Sequence, residues 1–377
     1  MSFNIVKNDK KEQEEQMFFG KYSKYLRVDK IPKWAEVFKT LKENSEGNTW
    51  FAKEIDYKQD KTRFDDLPED AKRAFKLNIS YQTLMDSGVT SGISEVLNKC
   101  VSSSMLDLLY RRITIEESIH SESYSYGLSQ TFGSSANEIL DLVYEDEFVK
   151  ERMNREKEVF ANLYDLTYTD NFPYDDEEKM DELKLSLLKV LIGVYVLEGI
   201  KFPFSFLVTF SINDKYDNAI PGFTRTLQLI AHDELNTHIP TTRHIVAIMR
   251  EDSDQGFSKF FQRKDGEKSI FEDLLDKTIE ETVESEIKWA NYLFKDRNVK
   301  SLSVESCEYF IKWRANFLYE ILGIIRNPYV DYVSNSITEF FETYRDINKQ
   351  NAAAQETEML GYKKGGTVND WPEGEIK

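Results

Sequence analysis

Four histidines occur in the chain, His120, His232, His238 and His244, and two of them have a glutamate one helical turn upstream. The first group reads Glu117-Ser-Ile-His120-Ser-Glu-Ser-Tyr124. At about 100° per residue, positions 117, 120 and 124 share one narrow helical stripe with Ile113. A carboxylate, an imidazole and a phenol therefore project the same way. Glu-x-x-His on a helix builds an oxygen/nitrogen ligand pair in carboxylate-bridged di-metal bundles; a salt-linked pair on a solvated face has the same spelling. The second group, His232-Asp233-Glu234-Leu-Asn-Thr-His238, sets Glu234 and His238 at i and i+4, again on one face and with the same alternative. His232 and His244 have no carboxylate upstream at helical spacing and read as non-ligands.

Two more carboxylates stand in apolar settings. Glu198 lies in VLIGVYVLEGIKFPFSFLVTF, apolar around its whole circumference and hence a buried helix. An unpaired carboxylate there is costly and tends to protonate; an ion pair with Lys201 is the structural alternative. Asp86 closes Ile79-Ser-Tyr-Gln-Thr-Leu-Met-Asp86-Ser, where a helix-capping role is the alternative. Together the residues make four carboxylates and two imidazoles, the donor count for two octahedral-type metals. Hard oxygen donors with few imidazoles suit iron or manganese rather than a thiolate zinc or iron–sulfur site. Four carboxylates also balance two divalent ions, which removes the objection to burying Glu198.

The elements that must hold these residues are helices. In 377 residues there are only 16 Gly and 8 Pro, and most segments read at helical period: Leu67–Met85, Ser94–Gln130, Glu182–Ile212, Phe223–Met249, Ile270–Phe294 and Val304–Ile325. Leu163–Thr169 is a weak strand candidate. Breakers at Asn171–Asp176, Asn213–Pro221 and Asp252–Gly256 read as loops between long helices, so one large all-α bundle over 16–345 is expected. Residues 1–15 are polar and expected to be loose. From Asp346 to Lys377 the composition cannot offset its ordering entropy, so a flexible tail is expected, with Tyr362 and Trp371 as partner anchors or incidental aromatics.

Composition excludes several functions. With 67 acidic against 49 basic residues, the net charge is −18, which argues against nucleic acid as a partner. The most apolar stretch, Leu187–Ile212, is interrupted by Lys189, Glu198 and Lys201, so no membrane span is expected. The N-terminus has no apolar signal region, and two cysteines, Cys100 and Cys307, make no disulfide framework; a cytoplasmic location is expected.

With these residues in place, the sequence resembles the small, radical-generating subunit of class I ribonucleotide reductase, of aerobic bacterial and phage type. The match runs from Met17-Phe-Phe-Gly20 to about Tyr362. Its landmarks, in family order, are FKLNISYQTLMDS, ESIHSESY, LEGIKFPFSF, LIAHDELNTH, WANYLFKD and QETEMLGY. The resemblance implies a ferritin-like bundle with two iron ions (or manganese) in its core. Asp86, Glu117 and His120 would bind one metal and Glu198, Glu234 and His238 the other, with Glu117 and a second glutamate bridging. Dioxygen would oxidise Tyr124 to a tyrosyl radical shielded by Phe202, Phe206 and Ile230. Trp50 would relay an electron, with Asp233 joining it to His120. Tyr362, near Glu356, would pass the radical to a large subunit, docked through the C-terminal segment Val368–Lys377, for reduction of ribonucleotides. A homodimer is also implied.

One feature departs from the family: its second pair is Glu-x-x-His, whereas Glu234 and His238 are one residue further apart. The extra residue predicts a π-type turn or kink between about Glu234 and Pro240, and Pro203 marks a second place for distortion. Two other functions share parts of the pattern. A ferritin-like di-metal oxygenase or desaturase acting directly on substrate would keep the ligands without needing Trp50, Tyr124 or a tyrosine-bearing tail. A non-catalytic helical scaffold would have degraded ligand positions.

Overall fold

The helical periods of the sequence become fourteen α-helical segments in the computed structural model, which describes residues 16–20, 31–168, 172–251, 255–324 and 327–347. The segment 1–15 and the tail from 348 on, with Glu356, Tyr362, Val368–Lys377 and Trp371, lie outside the described residues. Helices α1 (Glu36–Gly47) and α2 (Lys58–Arg63) lead to α3 (Glu69–Gly92), which runs through a π-helical turn (Ile93–Leu97) into the single-turn α4 (Asn98–Cys100). Next come α5 (Ser104–Phe132), α6 (Ala136–Glu145) and α7 (Glu147–Thr167). A second π turn (Leu197–Lys201) joins α8 (Glu177–Val196) to α9 (Phe202–Lys215), and a third (Glu234–His238) joins α10 (Pro221–Asp233) to α11 (Ile239–Glu251). The chain continues through α12 (Ile270–Phe294), α13 (Val304–Ile321) and α14 (Ser336–Tyr344).

Local chemistry sets the boundaries. Ser103 caps α5 and Asp146 caps α7 by accepting from backbone N–H groups, and Ser269 forms a capping box with Glu272 at α12. Ser94–Gln130 is not one helix: Val101 is extended, bridges to Phe18, and hands over to the Ser103 cap. The strand candidate is helical as far as Thr167, whose Oγ1 bonds back to the Leu163 carbonyl at 2.8 Å. Leu163 and Thr167, one helical turn apart, are the buried positions there, so the apparent alternation was a helix face. Among the described residues no β-strand forms, and no helix is long and apolar enough to cross a membrane. Cys100 and Cys307 are buried and not joined in a disulfide.

The core of the bundle is made by α3, α5, α9 and α10, which pack on one another. In α9 every residue from Phe202 to Asn213 is buried, as its uniform apolarity requires. Each buried Phe side chain contributes roughly 1.5–3 kcal/mol, which helps offset the cost of placing charged groups nearby. The start of α10 is fixed from outside: the buried Asp60 of α2 accepts from the Gly222 and Phe223 amides at 2.8 and 3.0 Å.

Candidate metal centre

Three core helices and two π turns carry the chemistry. Asp86 sits on α3, and Glu117, His120 and Tyr124 lie on α5. Glu198 lies in the second π turn; Glu234 and His238 begin and end the third, with Asp233 just before it. Each π turn closes with an i→i−5 bond, Phe202 N–H to the Leu197 carbonyl and Ile239 N–H to the Glu234 carbonyl. The extra residue between Glu234 and His238 is thus absorbed where the spacing predicts, and His238 points inward. Around Glu198 the bulge is braced by α13. Pro203 has no N–H to offer, and the Gly199 carbonyl accepts from Arg314 Nε at 2.7 Å instead. A side chain at Gly199 would collide with Leu318.

The surface-pair alternatives fail on burial. Asp86, Glu117 and His120 are fully buried, and Glu198, Glu234 and His238 are at most 5% exposed. Lys201 does not pair with Glu198; it reaches Glu156 at 2.6 Å and the Arg152 carbonyl at 2.8 Å. Asp86 lies within its helix rather than at an end.

Two groups of donor atoms result, one of Asp86, Glu117 and His120, the other of Glu117, Glu198, Glu234 and His238, each with all its atoms within 4.8 Å of one another. Glu117 belongs to both. His238 Nδ1 lies 2.7 Å from Glu234 and 3.2 Å from Glu117, and His120 Nδ1 lies 3.4 Å from Glu234. Both carboxylate oxygens of Asp86, Glu117, Glu198 and Glu234, together with His120 Nδ1, are buried without a hydrogen-bond partner. Natural interiors rarely leave such groups orphaned. So many convergent lone pairs from carboxylates and imidazole form a donor set that fits divalent cations of the iron or manganese type. Without cations the electrostatics are unbalanced. Burial, then Glu117, pushes the Asp86 carboxyl well above its ordinary value. Burial, then Glu234, does the same to Glu198. Burial alone would lower His120, but its bond to Asp233 and the Glu234 and Glu117 carboxylates raise it to about 9.

Outward from the cage, His120 Nε2 lies 3.1 Å from Asp233 Oδ2, and the same oxygen accepts from Trp50 Nε1 at 2.8 Å. The buried indole and the imidazole stack with ring centres 6.0 Å apart. Tyr124 is fully buried, and burial, then Asp86, holds the phenol well above its usual value. Phe202, Phe206 and Ile230 are all buried, the two phenylalanines stacked at 6.1 Å. Neither His232 nor His244 joins a metal-binding group among the described residues. One residue the sequence reading passed over is Glu116, whose Oε2 lies 3.2 Å from His238 Nε2. The only signal for it was a second glutamate beside Glu117, off the ligand stripe.

Comparison with known proteins follows the same lines. The family model described as ribonucleotide reductase, small chain, matches residues 31–329. A ribonucleoside-diphosphate reductase subunit beta of Buchnera aphidicola (subsp. Schizaphis graminum) is 28% identical over 391 aligned residues, covering 100% of this chain and 99% of its own. Among solved structures, a ribonucleotide reductase R2 subunit from Clostridium botulinum superposes with a TM-score of 0.73 at 20% identity, over 91% of this chain and 98% of its own. A dimanganese(II)-NrdF of Streptococcus sanguinis gives 0.60 at 20% identity, over 85% and 99%.

Proposed function

The chain belongs to the ribonucleotide reductase small-chain family, and from that premise we propose that it is the radical-generating subunit, with Tyr124 as the radical site. The reading is carried by one observation: two clusters of orphaned donors share Glu117 on the helix that also buries Tyr124. Asp86, Glu117 and His120 would hold one ion and Glu117, Glu198, Glu234 and His238 the other. Bound there, a pair of iron ions (or manganese, as in the dimanganese(II) relative) supplies, with dioxygen, oxidising power that side chains lack.

The chain's own residues do the rest. Burial keeps the Tyr124 phenol protonated, so an electron leaves it only together with its proton, and Asp86 is the carboxylate that weighs most on that proton. The packed core that includes Phe202, Phe206 and Ile230 excludes water, which gives a phenoxyl radical its lifetime. Trp50, Asp233 and His120 form a hydrogen-bonded line from the cage toward α1, the path we assign to the electron. Asp233 also fixes which His120 nitrogen faces inward. Tyr362 in the tail would take the radical onward to the large subunit, and the subunit would act as a homodimer.

Anaerobic loading with Fe(II) followed by air tests the proposal. An organic-radical EPR signal with two metal ions per chain is expected. Metal uptake with no radical would favour a direct oxygenase, and no uptake a scaffold; either result overturns the reading. A second expectation concerns the tail. Deleting Val368–Lys377 should abolish complex formation with the large subunit, read by sedimentation, and with it turnover, while metal content stays at two ions per chain. Unimpaired turnover of the truncated chain would refute the docking role.

A further inference from the structure

We infer that Glu116 is the positioning residue for His238, so that each of the two histidines of the cage has its own outer carboxylate; this rests on the di-metal reading above. The arrangement around the two rings is parallel. His120 presents Nδ1 to the cage and Nε2 to Asp233 at 3.1 Å. His238 presents Nδ1 to Glu234 and Glu117 and Nε2 to Glu116 at 3.2 Å. A carboxylate on Nε2 holds the proton there and leaves the Nδ1 lone pair for a metal, and such outer partners set the orientation of a ligating imidazole.

Glu116 is itself held. It is 2% exposed, and its other oxygen accepts from Ser45 Oγ at 2.5 Å. Ser45 Oγ in turn accepts from Arg112 Nε at 2.6 Å, and Arg112 Nη2 lies 3.6 Å from Glu116 and donates to Thr49 Oγ1 at 2.9 Å. The group ties α5 to α1 and so fixes the carboxylate independently of the π turn it serves. That independence has a use. His238 sits at the end of a bulge, and relaxing the bulge to a regular helix would rotate it by about 100°. An anchor on a different helix opposes that rotation. The two outer carboxylates also differ in what lies behind them. Asp233 is backed by the oxidisable indole of Trp50, Glu116 by a hydroxyl and a guanidinium that do not carry electrons at accessible potentials. The electron line therefore leaves from the His120 side only, and Glu116 serves geometry.

The test is a Mn(II) titration of the full chain, with free Mn(II) read by EPR and each position's occupancy read from anomalous diffraction of Mn(II)-soaked crystals. Glu116→Ala should weaken the His238 position by about 10- to 100-fold and leave the His120 position unchanged. Glu116→Gln, which keeps an acceptor oxygen for Nε2–H, should recover most of that loss. Equal weakening of both positions, unchanged affinity in Glu116→Ala, or a Gln variant no better than Ala would each overturn the assignment. The wild-type titration separates this from the parent reading: fewer than two Mn(II) per chain refutes the di-metal centre itself, whereas two ions with an indifferent Glu116→Ala refutes the positioning role alone.

Discussion

Tyr124→Phe should bring turnover with the large subunit to the assay background while both metal positions still fill. The substitution removes one oxygen atom from a fully buried ring. The polar group that bears most on that oxygen is the Asp86 carboxylate, which a bound ion would also hold, so its loss leaves no buried donor unsatisfied. The desolvation of a buried hydroxyl and its interaction with one carboxylate are of similar size, so thermal stability should change by no more than about 1 kcal/mol. The chemical consequence is total by contrast. A phenol can release an electron and a proton together; a benzene ring has no proton to give and is far harder to oxidise. Metal content by elemental analysis, the organic-radical EPR signal and turnover are the three readings. Two ions, no signal and no turnover is the expected set. A Tyr124→Phe protein that turns over near the wild-type rate would sink the assignment of the radical to Tyr124.

How much of this could be read from the sequence depends on how local each signal is. Glu117, His120 and Tyr124 share one unbroken helix, so their common direction follows from spacing alone. Glu198 declared itself by contrast, a charge in a stretch that burial makes apolar all round, although only the structure shows Lys201 turned to Glu156 instead. The π turn at Glu234–His238 was legible as a one-residue mismatch, and that at Leu197–Lys201 as a proline beside a ligand. The turn at Ile93–Leu97 carried no such mark and was missed, as was the break at Val101, which depends on a partner over eighty residues away at Phe18. Glu116 was invisible for the same reason. Its significance lies in Ser45, brought against it by α1 packing on α5, and in His238 from the third π turn, whereas its pairing with Arg112 one turn earlier on α5 has the spelling of any i,i+4 ion pair. Sequence pattern thus reports what one helix does to its own side chains. It is silent on carboxylates whose meaning comes from a neighbouring helix.

Removing the metals should cost stability, and the cost should grow with pH. At an ion concentration about 100-fold above the dissociation constant, each bound ion adds roughly 2.7 kcal/mol. Two ions then add roughly 5 kcal/mol, on the order of 10 °C in melting temperature for a chain of this size. The pH dependence follows from what the empty cage does with protons. His120 is raised to about 9 in the fold, above its ordinary 6.5. Its contribution is complete below about 6.5 and is lost as pH climbs through 9. Asp86 and Glu198 are likewise raised, by burial and then by Glu117 and Glu234 respectively, so the folded metal-free state keeps protons that the unfolded chain releases above the ordinary carboxyl range. On all three counts the unfolded chain binds fewer protons, and metal-free stability falls as pH rises. Glu234, lowered by His238 against the opposing effect of burial, acts only at the acid end. Metal binding has the opposite slope, because the ligands must be deprotonated to bind. Melting curves of chelator-treated and Mn(II)-reloaded protein at pH 6, 7.5 and 9 would measure both slopes at once. The gap should widen steadily across that series; a gap that closes as pH rises would mean that these side chains are not what the metal binds.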